Sequence, residues 1–263
     1  MTRRVLNMFL AEVTRGMRLR QTWAGVAAVA VAVGVMLVRG GVARDGRADY
    51  DFIARAMPAG VGLAAFIMLL AWSACLVAPE LGSGSIRLVL TRPVRRGEYV
   101  LGKFFAAAAY AALLALEASA LAWAAAAVLG EITGVEFGGE LLFTKEEMAF
   151  AWLGGSALAM LPLLAGAALG LFISCCTRST GLAVSSVFGV WILLDLVKHF
   201  LGVDRLVFTT YLESCWQVLA NRADGLDAEW LPMVWQCAGA SLGATALLLA
   251  GAVLVMRRRD ISG

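Results

Sequence analysis

The sequence predicts an all-α, polytopic membrane protein in which six transmembrane helices follow an N-terminal helix lying in the membrane interface. Composition predicts it first: of 263 residues 61% are hydrophobic and 16% charged, with a mean hydropathy of +0.81, whereas soluble domains are roughly 45 to 50% apolar. Second, six apolar runs approach or exceed the about 20 residues that a crossing helix needs. Third, Lys and Arg collect on one side of those runs. A chain of this length reads as one transmembrane domain, residues 1–263, whose apolar surface faces a bilayer.

Residues 1–21 carry too much charge to cross. Leu6, Phe9, Leu10, Val13 and Met17 nevertheless recur three and four residues apart, with arginines on other faces. This predicts an amphipathic helix in the interface, with a solvated tail as the alternative. The six spans are read at 22–39, 57–78, 101–129, 149–175, 180–202 and 232–256. The first begins at Thr22-Trp23 and stops at Arg39, the aromatic and basic flanks of a membrane anchor. Gly41-Val42-Ala43 could pass for a signal cleavage site, but Arg39 and the long charged segment upstream speak against a secretory signal. Thr144-Lys145-Glu146-Glu147 has capping-box spacing and is expected to start the fourth span, which Pro162 is expected to bend. In the loop 203–231, Phe208, Tyr211, Leu212, Cys215, Trp216 and Leu219 make one helical stripe, read as a short amphipathic helix on the outer surface.

Orientation follows from the basic residues. With both termini cytoplasmic, the inner segments hold Arg3, Arg4, Arg15, Arg18, Arg20, Arg87, Arg92, Arg95, Arg96, Lys103, Arg178 and Arg257 to Arg259, 14 in all, against 7 outside. The positive-inside rule chooses this topology, a multi-pass protein of the cell membrane. Five cysteines without a CxxC pair predict neither a disulfide framework nor a zinc site, and a single histidine, His199, excludes any multi-histidine metal or haem centre. No cofactor is expected, and no nucleic-acid partner.

Gly97 to Lys103 comes within one residue of a phosphate-cradling loop, but Phe104 stands where a hydroxyl should bind Mg²⁺, Glu98 would repel phosphate, and no buried strand precedes it. The expected place for Gly102-Lys103 is the inner mouth of the third span, with the lysine snorkelling to the headgroups.

The surrounding segment, "PELGSGSIRLVLTRPVRRGEYVLGKF", is the longest inner connection between spans. Ser83 or Ser85 can cap a short helix there and Pro93 would stop it. Ile86, Val89 and Leu90 would form its apolar face, to be covered by a partner groove or by the bilayer interface. An acid at the membrane exit, a Gly-Ser turn, a short apolar run, Arg92-Pro93, a basic pair and Gly102-Lys103 at re-entry resemble the loop of ABC type 2 transporter membrane subunits, and the closing "MRRRDISG" resembles that family's tail. The resemblance implies a division of labour. A separate cytoplasmic ABC ATPase subunit would hydrolyse ATP, two membrane subunits, alike or similar, would pair around the route, and this chain would not be an enzyme. It further implies that residues 79–100 form a cytoplasmic coupling loop. Its contact with the ATPase would involve Glu80, Gly82, Gly84, Ser85, Ile86, Arg87, Leu90, Arg92, Pro93, Arg95 and Arg96. Arg92, Arg95 and Arg96 are also suited to holding the anionic lipid surface.

Ionisable residues inside a span are functional candidates. Glu117 lies deep in the third span, where it could line a translocation route or hydrogen-bond a neighbouring helix. Asp195 and Lys198, three residues apart, are expected to neutralise each other, and His199 beside them leaves a proton relay as an alternative. Gly166/Gly170 and Gly239/Gly243 have the GxxxG spacing of close helix contacts. Two rival functions remain open: a non-transporting membrane scaffold, and an intramembrane enzyme, against which stand the missing HExxH and the unpartnered serines of Gly154-Gly155-Ser156 and Val184-Ser185-Ser186. The sequence reading is thus a membrane subunit of an ABC transporter, an exporter of unspecified cargo.

Overall fold

A computed structural model describes residues 2–41, 49–86, 95–130, 132–137, 140–226 and 229–259. Among the described residues six helices are long and apolar enough to cross a membrane: span 1 (Arg20–Arg39), span 2 (Tyr50–Gly82), span 3 (Arg96–Leu129), span 4 (Lys145–Cys176), span 5 (Thr180–Leu201) and span 6 (Leu231–Arg258). All six expected spans are present. Six crossings bring both chain termini to one end of the bundle, here the terminal end; the other is the hairpin end.

The N-terminal helix, Thr2–Arg18, is held by its neighbours rather than by lipid alone. Its last carbonyls are capped from the next helix: Thr22 Oγ1 donates to Gly16 O at 2.7 Å and Trp23 Nε1 to Met17 O at 3.0 Å. These bonds satisfy groups that a helix C-terminus leaves open and fix the turn at Leu19. The helix lies across span 3, where a Cβ on Gly102 would come 2.6 Å from Met8 Cβ. The expected apolar stripe therefore divides: Phe9 and Val13 pack on the core, while Leu6, Leu10 and Met17 stay exposed, as lipid-facing residues can.

Span 2 begins at Tyr50 rather than 57 because Asp49 caps an additional helical segment by accepting from Phe52 N at 3.0 Å. At Pro58, which has no N–H to donate, the helix widens into a π-helical stretch, Pro58–Ala65, before resuming at Phe66–Ala74. It then breaks at residues 75–77 and ends as a short helix, Ala78–Gly82. Backbone groups freed inside a membrane must find partners. Ser174 of span 4 supplies them: its Oγ accepts from Val77 N and Ala78 N, both at 2.9 Å, and donates to Ala74 O at 2.7 Å.

Spans 2 and 4 form the centre of the bundle. Their most apolar windows are 67% and 78% buried, against 22%, 11% and 17% for spans 1, 5 and 6. Gly166 and Gly170 make the central contact, since a Cβ at either would overlap Phe66 or Ser73 of span 2, whereas Gly239 and Gly243 face open space. The capping box forms as expected: Thr144 N donates to Glu147 Oε2 at 2.8 Å and Glu147 N to Thr144 Oγ1 at 3.3 Å. Span 4 continues as one helix through the buried Pro162.

Two features of the hairpin end differ from expectation. Val135–Phe137 (β1) and Glu140–Phe143 (β2) form a small antiparallel hairpin ahead of span 4, which the short alternating runs did not announce. The stripe from Phe208 to Leu219 is not one surface helix. It is a 3₁₀ turn, Phe208–Thr210, a helical turn, Tyr211–Ser214, and a short helix, Gln217–Ala223, and all six stripe residues are buried. Glycines on spans 2 and 4 admit it: a Cβ on Gly62 would lie 3.1 Å from Leu212 O, and one on Gly155 3.1 Å from the Trp216 ring. Burying the stripe against protein gives it tighter packing than lipid could, so the segment acts as a wedge between the two central spans.

Candidate functional site

The stretch Gly97 to Lys103 forms the first two turns of the continuous helix of span 3, so its backbone is helical and makes no phosphate-binding bend. Its Gly-Lys pair has a different use. Gly102 leaves room for the N-terminal helix, and Lys103, expected to snorkel, instead turns inward and is fully buried. The correction has a plain cause: two carboxylates wait there. Lys103 Nζ donates to Glu12 Oε1 at 2.7 Å, to Glu80 Oε1 at 2.8 Å and to Leu76 O at 2.7 Å, and lies 5.0 Å from the centre of the Tyr99 ring. Three N–H donors meet three oxygens, which is the full capacity of an ammonium.

Around that ion the cluster closes. Tyr99 Oη donates to Glu80 Oε2 at 2.6 Å and Arg15 to Glu80 Oε1 at 2.6 Å. Two acids, Glu12 and Glu80, balance two bases, Arg15 and Lys103, so the group is neutral as a whole. It joins the N-terminal helix (Glu12, Arg15), the exit of span 2 (Glu80, Leu76) and the start of span 3 (Tyr99, Lys103). Buried charges are tolerable when paired and hydrogen-bonded, and breaking one such pair costs about 3–5 kcal/mol. Of this set the sequence marks only Glu80 as a site residue; Lys103 is expected at the headgroups and Arg15 counts only as an inner charge. The available signal was that Glu12 is an isolated acid in a basic helix and Lys103 an isolated base entering an apolar run.

The other residues expected in the loop distribute as follows. Glu80 points into the cluster. A Cβ on Gly82 would overlap Arg178 O in the connection between spans 4 and 5, and Gly84 has φ +71°, a conformation that suits glycine. Ser83 Oγ donates back to Pro79 O at 2.9 Å and lies 2.9 Å from Ser85 Oγ, so it closes the short helix before the loop. Ile86 is 2% exposed and packs in the core of this chain, which leaves it no free face for a groove on another protein. Arg95 is exposed. The Arg96 guanidinium donates to the carbonyls of Met256, Arg257 and Arg259 at 2.8, 2.8 and 3.0 Å, binding the loop's far end to the end of span 6. Arg87, Leu90, Arg92 and Pro93 lie outside the described residues.

Glu117 stands elsewhere. It lines a cavity of ≈ 470 Å³ between the N-terminal helix and spans 1, 2 and 3, and its Oε2 is shielded without a hydrogen-bond partner. At the hairpin end, Asp195 and Lys198 pair as expected, 2.5 Å apart, and both lie against Thr209 Oγ1, at 3.2 and 3.3 Å. His199 instead meets Asp204 at 2.9 Å on the surface, apart from that group.

Residues 6–206 match the model of a family described as ABC-2 family transporter protein. No curated protein matches the chain. The matched stretch contains the ion cluster, Glu117 and spans 1 to 5, and stops at the start of the wedge.

Proposed function

This chain belongs to the ABC-2 family of transporter proteins, and from that premise we propose that it receives the push of a separate cytoplasmic ATPase at residues 79–100 and converts it into export. It is a multi-pass membrane subunit of an ABC transporter. In the proposed arrangement both termini are cytoplasmic, a second membrane subunit pairs with it, and ATP is hydrolysed by the cassette partner.

The observation that carries the coupling is the ion cluster at the root of the loop. A force on a loop moves the bundle only if the loop's ends are anchored to more than one element. The near end is anchored through Glu80 to Lys103 of span 3 and to Arg15 of the N-terminal helix, whose Glu12 holds the same lysine, and the far end through Arg96 to span 6. Displacement of the loop would therefore shift the N-terminal helix and span 3 together, a rigid-body motion of packed elements between two states. The contact surface itself falls to the segment between these anchors, from Gly84 and Ser85 through Arg87, Leu90, Arg92 and Pro93 to Arg95. Glu80, Ile86 and Arg96 serve as its mount.

The test places a single cysteine at Ser85 in a cysteine-free chain co-expressed with its ATPase. Labelling by a membrane-impermeant maleimide is expected in inverted vesicles and not in intact cells, and bound ATPase is expected to slow it several-fold. Labelling on intact cells would overturn the orientation, and equal rates with and without the ATPase would overturn the contact.

A further inference from the structure

We infer that the Glu117 cavity is a binding site for a lipophilic organic cation, an ammonium or phosphonium whose charge is wrapped in apolar groups; the inference rests on the transporter reading and assigns its cargo class. The cavity's ≈ 470 Å³ falls within the range of small-molecule sites, about 300–1,000 Å³. Its wall includes Trp23, Trp72, Tyr110, Leu113 and Ala109, with Glu117 as its acid.

The chemistry narrows what fits. Trp72 Nε1 donates to Thr22 Oγ1 at 3.2 Å and Tyr110 Oη to Thr22 O at 3.2 Å, and the two rings stand 5.0 Å apart. With those polar atoms engaged, the rings have π surface left to offer, which attracts cations. Glu117 sits two helical turns beyond Tyr110 on the same face. Unlike Glu12 and Glu80, it makes no salt bridge among the described residues, and one of its oxygens is shielded and unpartnered. An uncompensated charge within a membrane span is costly, and a bound cation offsets that cost directly.

Other occupants fit less well. A bare metal ion takes about six oxygen ligands, and the wall offers a single carboxylate. A sugar or an anion would need free donors, and those of Thr22, Trp23, Trp72 and Tyr110 are already given to protein oxygens. An acyl chain would fill the space and leave the acid unanswered. Trp23 and Leu113 are half exposed at the rim, so the cavity opens sideways towards hydrocarbon, the phase in which a shielded cation travels.

The experiment uses the full chain with its co-purified ATPase in lipid nanodiscs, with binding to empty nanodiscs subtracted. Tetraphenylphosphonium and tetraphenylborate share size and shape and differ in the sign of their charge. Glu117→Gln is expected to weaken phosphonium binding about tenfold and to leave borate binding unchanged. Ala109→Trp, which keeps the carboxylate and fills the cavity, is expected to abolish phosphonium binding. Unchanged phosphonium affinity in either variant, or an equal shift for both ions in Glu117→Gln, would overturn the site. ATPase stimulation by the membrane subunit is measured alongside and is expected in the unmodified complex. Its absence in the unmodified complex would instead strike the transporter reading, whatever the phosphonium does.

Discussion

Two lysines are buried in the spans, one near each end of the bundle, and they are held in different ways. Lys103 at the terminal end meets Glu12, 91 positions away, and Glu80, 23 positions away, and has no exposed surface. Lys198 at the hairpin end meets Asp195 one turn earlier on its own helix and Thr209 in the wedge that follows, and the Asp195 side chain is 48% exposed. The first lysine ties together elements that the chain alone would not bring near each other; the second ties a helix to its own continuation. A tertiary anchor belongs at the end where force is proposed to arrive, and a local one suffices where a loop must simply stay in place.

The sharpest way to break this contrast is Lys103→Met. It keeps the shape of the stem and removes the charge, leaving Glu12 and Glu80 facing each other in a dry site. A loss of about 3–5 kcal/mol is expected, read as a large drop in thermal midpoint in detergent. Because the damage is an uncompensated charge and not a missing contact, adding Glu12→Gln and Glu80→Gln should restore most of the midpoint. If the single variant were as stable as the parent, Lys103 would not be the anchor described. Stimulation of the partner ATPase should fall in the triple variant even where stability returns, since the ionic mount of the loop is gone.

Asp195→Asn tests the other member of the comparison. The pair is half in contact with solvent and local, so screening and the remaining Thr209 bond limit the loss to about 1 kcal/mol, with little effect on ATPase stimulation. An effect as large as that of Lys103→Met would erase the distinction between the two ends.

The same distinction explains which parts of the molecule were legible in the sequence. Spans, the Thr144 cap and the Asp195–Lys198 pair are set by residues a few positions apart, so their spacing displays them. The break at residues 75–77 was hidden because Ser174, which makes it tolerable, comes about a hundred positions later. An isolated lysine at a span mouth ordinarily snorkels, and only the fold reveals that Gly102 brings Glu12 within reach of Lys103. The wedge stripe was seen, but whether it faces lipid or protein depends on Gly62 and Gly155, small residues that carry no signal of what lies against them. Of the loop residues carried over from the resemblance, Glu80 and Ile86 face inward and Arg96 faces the end of span 6, directions that a motif cannot encode.

The smallest expected effect lies inside the terminal cluster and sharpens the comparison further. Arg15 touches the same Glu80 oxygen as Lys103, yet its side chain is 53% exposed, so solvent screens it and can replace it. Removing it still leaves Glu80 with Lys103 and the Tyr99 hydroxyl. Arg15→Ala should therefore cost at most about 1 kcal/mol, and raising the salt concentration should shrink even that difference, because the Debye length falls to about 3 Å at 1 M. Salt should not shrink the loss caused by Lys103→Met, whose partners are out of contact with bulk ions. A salt-titrated thermal melt of the two variants side by side would show whether burial, rather than mere proximity to Glu80, decides which of its two cations holds the cluster.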